Sequence, residues 1–363
     1  MRIGFFTDTF LPQTNGVVTS IAGLGPELVR RGHEVTVFCP KTRIRELNGM
    51  RVISYPAVRF RQYPDFMIAV PQGRDLVPDL DIVHTHSPFT MGFFGWRVSR
   101  WQKIPRVATF HTLLSEYVRY VSRIGRIVLK PISWEYTRAY YNRHRRVIAP
   151  SKTLKKVLRE HGVRKPISVV PSGIDISLYK PTAKSRARKK LGIEDGEMVF
   201  LSLGRLGYEK NIDIILKAFK NVDARLIIAG SGPAEKKLKK MRDALKLKKV
   251  VFTGYIREEM KPLYFSASDA FVIASTSETQ GLAAIEAMAC GCPVIGADAM
   301  AISEIVKNGV NGFLFEPNRA EKLSEILNRF KPSRAMAREA VKTAKNFSIE
   351  RCARLVEEVY SNL

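Results

Sequence analysis

At 363 residues with 45% hydrophobic content, the chain is long enough for two domains and has the make-up of a globular protein rather than a disordered one. Lys and Arg outnumber Asp and Glu 60 to 34, a formal charge of +26 that favours an anionic partner. No apolar run approaches the roughly 18 residues of a membrane-spanning helix, and MRIGFF turns polar at Thr7 and Asp8, so it reads as a first strand rather than a signal peptide.

The charge is uneven: residues 1–180 hold 29 Lys and Arg against 12 Asp and Glu, residues 181–363 hold 31 against 22. Nucleic acid is not expected as a partner, because no nucleic-acid-binding motif accompanies the charge. An anionic membrane surface is the expected partner, while solubility or adaptation to heat also selects for charge. The four cysteines, Cys39, Cys290, Cys292 and Cys352, form no metal-ligand pattern and read as small buried hydrophobes in a reducing cytoplasm.

In chain order, Arg2–Phe6 is an apolar strand, followed by the loop TDTFLPQTNGVVTS and a helix from about Val17 to Arg31. A strand, a glycine-bearing loop and a helix present backbone N–H groups to an anion, and Asn15 and Gly16 are residue types that tolerate positive φ. Strands are predicted at Glu34–Cys39, Arg51–Tyr55, Asp81–His86, Arg106–Phe110 and Val147–Ala149, with helical patterns between several of them. That alternation predicts a parallel doubly wound sheet with ligands beyond the carboxyl ends of its strands. His84, His86 and His111 fall near such ends. His84 and His86 have a spacing open to metal binding but no carboxylate or cysteine companions, so structural roles are expected; Asp79 and Asp81 imitate a D-x-D motif in the wrong setting.

Over Glu116–Lys130, Arg119, Arg123, Arg126 and Lys130 recur at helical spacing opposite Tyr117, Val121, Ile124 and Val128. This amphipathic basic helix is expected to end or kink at Pro131. Its apolar face either packs on the sheet, leaving the arginines in water, or lies with them on anionic lipid. Trp96, Trp101 and Trp134 all belong to this half, and Trp suits both cores and membrane interfaces.

A proline-bearing basic stretch follows, and the expected division is a first domain over residues 1–172, a linker and entry to the second domain over 173–196, a second domain over 197–348 and a helix returning to the first domain over 349–363. The second αβ series opens with MVFLSLGRLGYEKNIDIILKAF, in which Arg205 and Lys210 stand between a strand and its helix and can neutralise a diphosphate. Strands follow at Arg225–Ala229, Val250–Gly254 and Ala270–Ala274, with Gly230, Ser231 and Gly232 shaping the turn into a basic helix. Then comes AFVIASTSETQGLAAIEAMACGCPVIGA: a strand, a loop with Glu278, and a helix from Leu282 that carries Glu286. The N–H groups at Gly281, Leu282 and Ala283 open that helix and form an anion cradle beside two carboxylates that accept hydrogen bonds from hydroxyl groups. Phosphates and hydroxyls together describe a nucleotide sugar.

Glu278 and Glu286, seven residues apart and followed by EAMACG, resemble the E-x7-E signature of the family 4 glycosyltransferases, and G-R-L-x3-K around Arg205 and Lys210 resembles the same family's diphosphate motif. The resemblance covers essentially the whole chain. It implies an α/β fold of the GT-B type: two Rossmann-like doubly wound domains facing a cleft, with a C-terminal helix crossing back to the first. It implies a retaining hexosyltransferase that needs no metal or other cofactor. Arg205, Lys210 and the N–H groups near Gly281–Ala283 would stabilise the departing diphosphate, Glu286 would hold ribose hydroxyls and Glu278 sugar hydroxyls. His111, in ATFHT, matches the histidine placed against the donor sugar from across the cleft, and Asn15 with Gly16 matches the first loop of the lipid-modifying branches. The expected partners are a nucleotide sugar, a lipid acceptor and the inner face of the cell membrane, on which the protein would be peripheral. UDP-glucose with diacylglycerol is the leading pair, GDP-mannose with a phosphoinositide or glycolipid the alternative. A non-catalytic polyanion-binding protein is the reading from another class.

Overall fold

The computed structural model describes residues 1–13, 15–59, 67–111, 113–114 and 123–363, and of residues 123–128 the backbone alone. The chain forms two compact units, Met1–Gly173 with Ile349–Leu363, and Ile174–Ser348.

In the first unit the strands are β1 (Arg2–Phe6), β2 (Glu34–Pro40), β3 (Glu46–Leu47), β4 (Met50–Tyr55), β5 (Ala57–Arg59), β6 (Met67–Ala69), β7 (Ile82–Thr85), β8 (Arg106–Thr109), β9 (Arg146–Ala149) and β10 (Ile167–Val169). All but β5 and β6 form one sheet of order β10-β9-β8-β7-β1-β2-β4-β3, in which β3 alone runs antiparallel to its neighbour. Side chains alternate across the sheet. Phe5, Val37 and Val107 pack with the helices Gly16–Arg30 and Ile349–Ser361, while Phe6, Phe38 and Val83 pack on the opposite side with the helix Thr90–Trp101. The C-terminal helix is held in this unit by Ala353, Val356 and Val359 and by Glu357, which takes the Arg31 guanidinium at 2.7 and 2.9 Å.

The second unit carries β11 (Val199–Leu203), β12 (Arg225–Ala229), β13 (Val250–Gly254), β14 (Ala270–Ile273), β15 (Val294–Ala297) and β16 (Gly312–Phe315), parallel in the order β13-β12-β11-β14-β15-β16. Phe200, Leu226 and Val272 point to one core, Leu201, Ile227 and Phe271 to the other. Both faces are covered, which is why these strands read as continuous apolar runs.

Each sheet reverses its strand order once, between β1 and β7 in the first unit and between β11 and β14 in the second. Connections diverge there to opposite faces, leaving a crevice beyond the carboxyl ends of the two strands.

One expectation is corrected, and one of two alternatives is set aside. Residues 173–196 are not an open linker: they contain the helix Lys184–Leu191, bury Ala187 and Ile193 in the second core, and pair the buried Arg188 guanidinium with Asp269 at 2.9 Å. Pro131 does not end its helix, which runs Arg123–Tyr141. Losing one intrahelical hydrogen bond is tolerated because the buried Thr137, Tyr140 and Tyr141 anchor the following turns. Of the predicted basic helix, Arg119 and the side chains of Arg123 and Arg126 lie outside the described residues, and Lys130 is exposed.

Candidate functional site

The second unit brings its predicted residues together at the β11/β14 switch. Arg205 and Lys210 lie on the connection after β11, Glu278 and Gly281 on the connection after β14. The two connections are tied by Asn211, whose amide donates to the Ala274 carbonyl at 3.2 Å, and by Ser275, whose hydroxyl donates to the Glu209 carbonyl at 3.3 Å. Lys210 Nζ meets Glu278 Oε1 at 2.7 Å, and Arg205 Nη2 meets Glu209 Oε1 at 2.8 Å. All four side chains are at least partly shielded, so each cation is held beside a carboxylate in a medium of reduced dielectric.

Gly281 begins the helix Leu282–Ala289 in the left-handed region at φ 78°, a backbone conformation that favours glycine. Among the described residues no side chain caps this helix, and no acidic residue occupies its first turn. The first intrahelical bonds are those of the Ala284 and Ile285 N–H groups to the Gly281 carbonyl, at 3.0 and 3.2 Å. The Leu282 and Ala283 N–H groups thus precede the helical ladder, where an anion is best accommodated.

Glu286, one turn further on, is 3% exposed. Burial pushes its carboxyl up to about 7 against the pull of Lys261, whose Nζ lies 3.9 Å from Oε2. Burial works against the Lys261 charge, but Glu286 and Glu258 beside it hold its ammonium above the ordinary lysine value; the Glu258 carboxylate is 2.6 Å away and also accepts the Tyr179 hydroxyl. Sequence reasoning missed Lys261, Glu258 and Tyr179, which come from other elements and carry no local signal. It also missed how far Gly230 and Gly232 support the cation loop. A Cβ on Gly230 would meet the Gly204 carbonyl at 1.9 Å and one on Gly232 the Leu206 backbone at 2.7 Å, so these glycines let the two connections touch.

In the first unit the loop after β1 and the turn after β7 are joined by Asp8. Its buried carboxylate accepts from the Ser87 hydroxyl at 2.7 Å, the Thr90 hydroxyl at 2.8 Å and the Met91 N–H at 2.9 Å, capping the helix Thr90–Trp101 from another element. Burial pushes this carboxyl up, and those hydrogen bonds oppose the shift. Neither Asn15 nor Gly16 takes a positive φ: Asn15 is extended at φ −158° and Gly16 is the first helical residue. The Asn15 side-chain oxygen accepts from the Val17 and Val18 N–H groups at 3.0 and 3.1 Å, so the helix end caps itself and asparagine serves as a cap rather than as a flexible joint.

His111 follows β8, half-buried, with its Nε2 3.1 Å from His86 Nδ1, and burial lowers it to about 4. His84 is fully buried between Tyr360 and Thr109, each 2.6 Å from a ring nitrogen. Among the described residues no group of three or more His, Cys, Asp or Glu is arranged to hold a metal. Asp81 bonds the Arg2 backbone and guanidinium, a strand-end tie.

Residues 14–178 match the model of glycosyltransferase family 4, and residues 183–347 that of the group 1 glycosyl transferases. The chain belongs to the family 4 glycosyltransferases. It is therefore a hexosyltransferase, which sets aside the non-catalytic reading. It is 35% identical over 333 residues to the alpha-monoglucosyldiacylglycerol synthase of Streptococcus pneumoniae, covering 87% of this chain and 75% of that one. Identity to the synthase of the same name from Acholeplasma laidlawii is 31%, over 100% of this chain and 97% of the relative. A GDP-mannose-dependent alpha-mannosyltransferase of Mycolicibacterium smegmatis is 30% identical over 87% of this chain and 84% of its own. Among solved structures, sucrose-phosphate synthase from Thermosynechococcus elongatus superposes with a TM-score of 0.83 at 21% identity, over 99% of this chain and 98% of that one. The fold is that of the GT-B glycosyltransferases. Among the described residues no helix is long and apolar enough to cross a membrane.

Proposed function

We propose that this enzyme moves a glucosyl group, with retention of anomeric configuration, from UDP-glucose to 1,2-diacylglycerol at the inner face of the cell membrane, where it is peripheral. The observation that carries the reading is the pairing of two cations and an uncapped helix end with Glu278 and Glu286 at one switch point, in a chain whose relatives at 35% and 31% identity are named for monoglucosyldiacylglycerol synthesis. Arg205, Lys210 and the Leu282 and Ala283 N–H groups take the charge that develops on the leaving diphosphate, a fixed electrostatic stabilisation of the transition state. Glu286 accepts ribose hydroxyls. Glu278 exchanges its lysine for hydroxyls of the sugar, which His111 also meets. A donor phosphate oxygen helps take the acceptor proton.

The second reading, mannosyl transfer from GDP-mannose to a phosphoinositide or glycolipid, is favoured by the mannosyltransferase relative at 30% identity. Rates with each donor on diacylglycerol liposomes, with and without anionic lipid, separate the two. Turnover with UDP-glucose that rises with anionic lipid is expected. Turnover with GDP-mannose alone overturns the donor, and equal activity on a water-soluble acceptor without response to anionic lipid overturns the membrane.

A further inference from the structure

Among the described residues Glu286 has one cation in reach, and it shares that cation with a second carboxyl group. Lys261 Nζ, at the start of the helix Lys261–Ala267, lies 3.9 Å from Glu286 Oε2 but 2.6 Å from Glu258 Oε2. The Tyr179 hydroxyl faces both carboxyl groups and has a single proton to donate, which goes to Glu258. Both donors that could serve Glu286 are thus committed first to its neighbour. Glu258 needs them less, because its side chain is 42% exposed and meets water, against 4% for Glu286. The remaining titratable group that faces Glu286 is the buried Cys290 thiol on its own helix.

We propose that Lys261 is a positioning residue that sets the charge on Glu286, and that Glu258 competes for its ammonium. With both carboxyl groups ionised, one ammonium leaves the cluster with one negative charge in excess. That excess costs most on the group with least water, which is Glu286. A proton therefore goes to Glu286 first: burial and the neighbouring Glu258 raise its carboxyl to about 7, and Lys261 opposes them. The ammonium itself stays charged, since the two carboxyl groups hold it above the ordinary lysine value.

The consequence concerns the nucleotide. A carboxylate offers only acceptors and can take two hydroxyl groups at once, whereas the protonated acid gives up part of that capacity to its own O–H. This rests on the proposed role of Glu286 toward the ribose. Near neutral pH the share of enzyme ready for the donor is then set by how Lys261 is divided between Glu258 and Glu286.

Carboxyl 13C spectra of enzyme labelled at glutamate Cδ, with Glu286 assigned through Glu286→Gln, follow its titration directly. The wild-type midpoint should lie near 7. Lys261→Met keeps an aliphatic stem and should move it up by about one unit, while Glu258→Gln frees the ammonium and should move it down by about as much. Opposite shifts from two neighbouring substitutions are not what a loosened fold produces. At pH 7 kcat/KM for UDP-glucose should fall about fivefold in Lys261→Met, through KM with kcat held, and the loss should nearly vanish by pH 9. In a Glu286→Gln background Lys261→Met should add nothing. Midpoints that stay in place, or that move the same way in both variants, overturn the proposal. Shifted midpoints with KM unmoved uphold the charge control and overturn the role of Glu286 toward the ribose. An equal loss from Lys261→Met in the Glu286→Gln background overturns action through Glu286, and means that Lys261 meets the nucleotide itself.

Discussion

The two units place their candidate residues in the same way, beyond the strand ends at the point where a parallel sheet reverses order, but they use opposite electrostatics. The first works with neutral hydrogen-bonding partners: stacked imidazoles kept uncharged by burial, and uncharged hydroxyl and N–H donors around one buried carboxyl group. The second works with ion pairs, Lys210 with Glu278, Arg205 with Glu209, and Lys261 between Glu258 and Glu286. A fold that offers a crevice does not dictate what the crevice holds; the side chains do. Under the proposed function, pairs suit the second site, since the cations would exchange a carboxylate for a diphosphate without being left buried and alone. Neutral donors suit a surface that meets hydroxyl groups.

The comparison is broken most sharply at the cations. Arg205→Ala or Lys210→Ala should each lower kcat by about 10²–10³ while leaving sedimentation with anionic liposomes nearly unchanged, because the ion pairs belong to the second unit and most of the charge excess to the first. Glu278→Gln is the control for a lysine lost only as a structural partner. Loss of turnover and liposome binding together in either cation variant would contradict this division.

Much of this was legible before the structure. The strands announced themselves as apolar runs because both sheets are covered on both faces, and the spacing of Glu278 from Glu286 and of Arg205 from Lys210 is local enough to be seen in one dimension. What stayed hidden is non-local. Lys261 reaches Glu286 from a separate helix, Asp8 caps a helix that starts at Thr90, and His86 faces His111 across two strands. Within residues 173–196, read as a linker and the entry to the second domain, the packed helix stayed hidden for the same reason: a basic run looks solvated until Asp269 supplies the partner that buries Arg188.

Acid sharpens the contrast, because the two units should respond with opposite sign. His84, His86 and His144 are buried and held below the ordinary histidine value, so the unfolded chain binds protons that the folded unit refuses once the pH drops under about 6.5. The first unit should lose up to about 1.4 kcal/mol per pH unit for each such ring. Glu286 is raised to about 7 from 4.5, so between those values the folded second unit takes up the proton more readily than the unfolded chain and gains stability as the pH falls. Native-state hydrogen exchange at pH 7 and pH 5 reads the units separately. Protection should fall in β7, β8 and β9 and hold or rise in β14 and the helix Leu282–Ala289, and Glu286→Gln should remove the rise. A parallel loss in both units would show that the buried histidines do not set the acid response.

The smallest effect concerns the charge excess itself. Lys130 is exposed, with Ile132, 54% exposed, two residues on, so an apolar side chain and an ammonium stand together on the first unit's surface. That combination suits a lipid headgroup layer, where the ammonium meets anionic phosphates and the aliphatic group enters the acyl boundary. Lys237, exposed on the basic helix Glu235–Ala244 of the second unit, carries the same charge in a segment of low apolar content. One basic side chain at an anionic surface contributes about 1 kcal/mol, or roughly fivefold in partitioning. Lys130→Gln should therefore weaken binding to phosphatidylglycerol vesicles by about fivefold, and Lys237→Gln, with an equal change in net charge, by much less. Equal losses would mean that the vesicle senses total charge and not a face. In that case the excess of Lys and Arg in residues 1–180 would act as a diffuse attraction, and the acceptor lipid would have to be found by other residues.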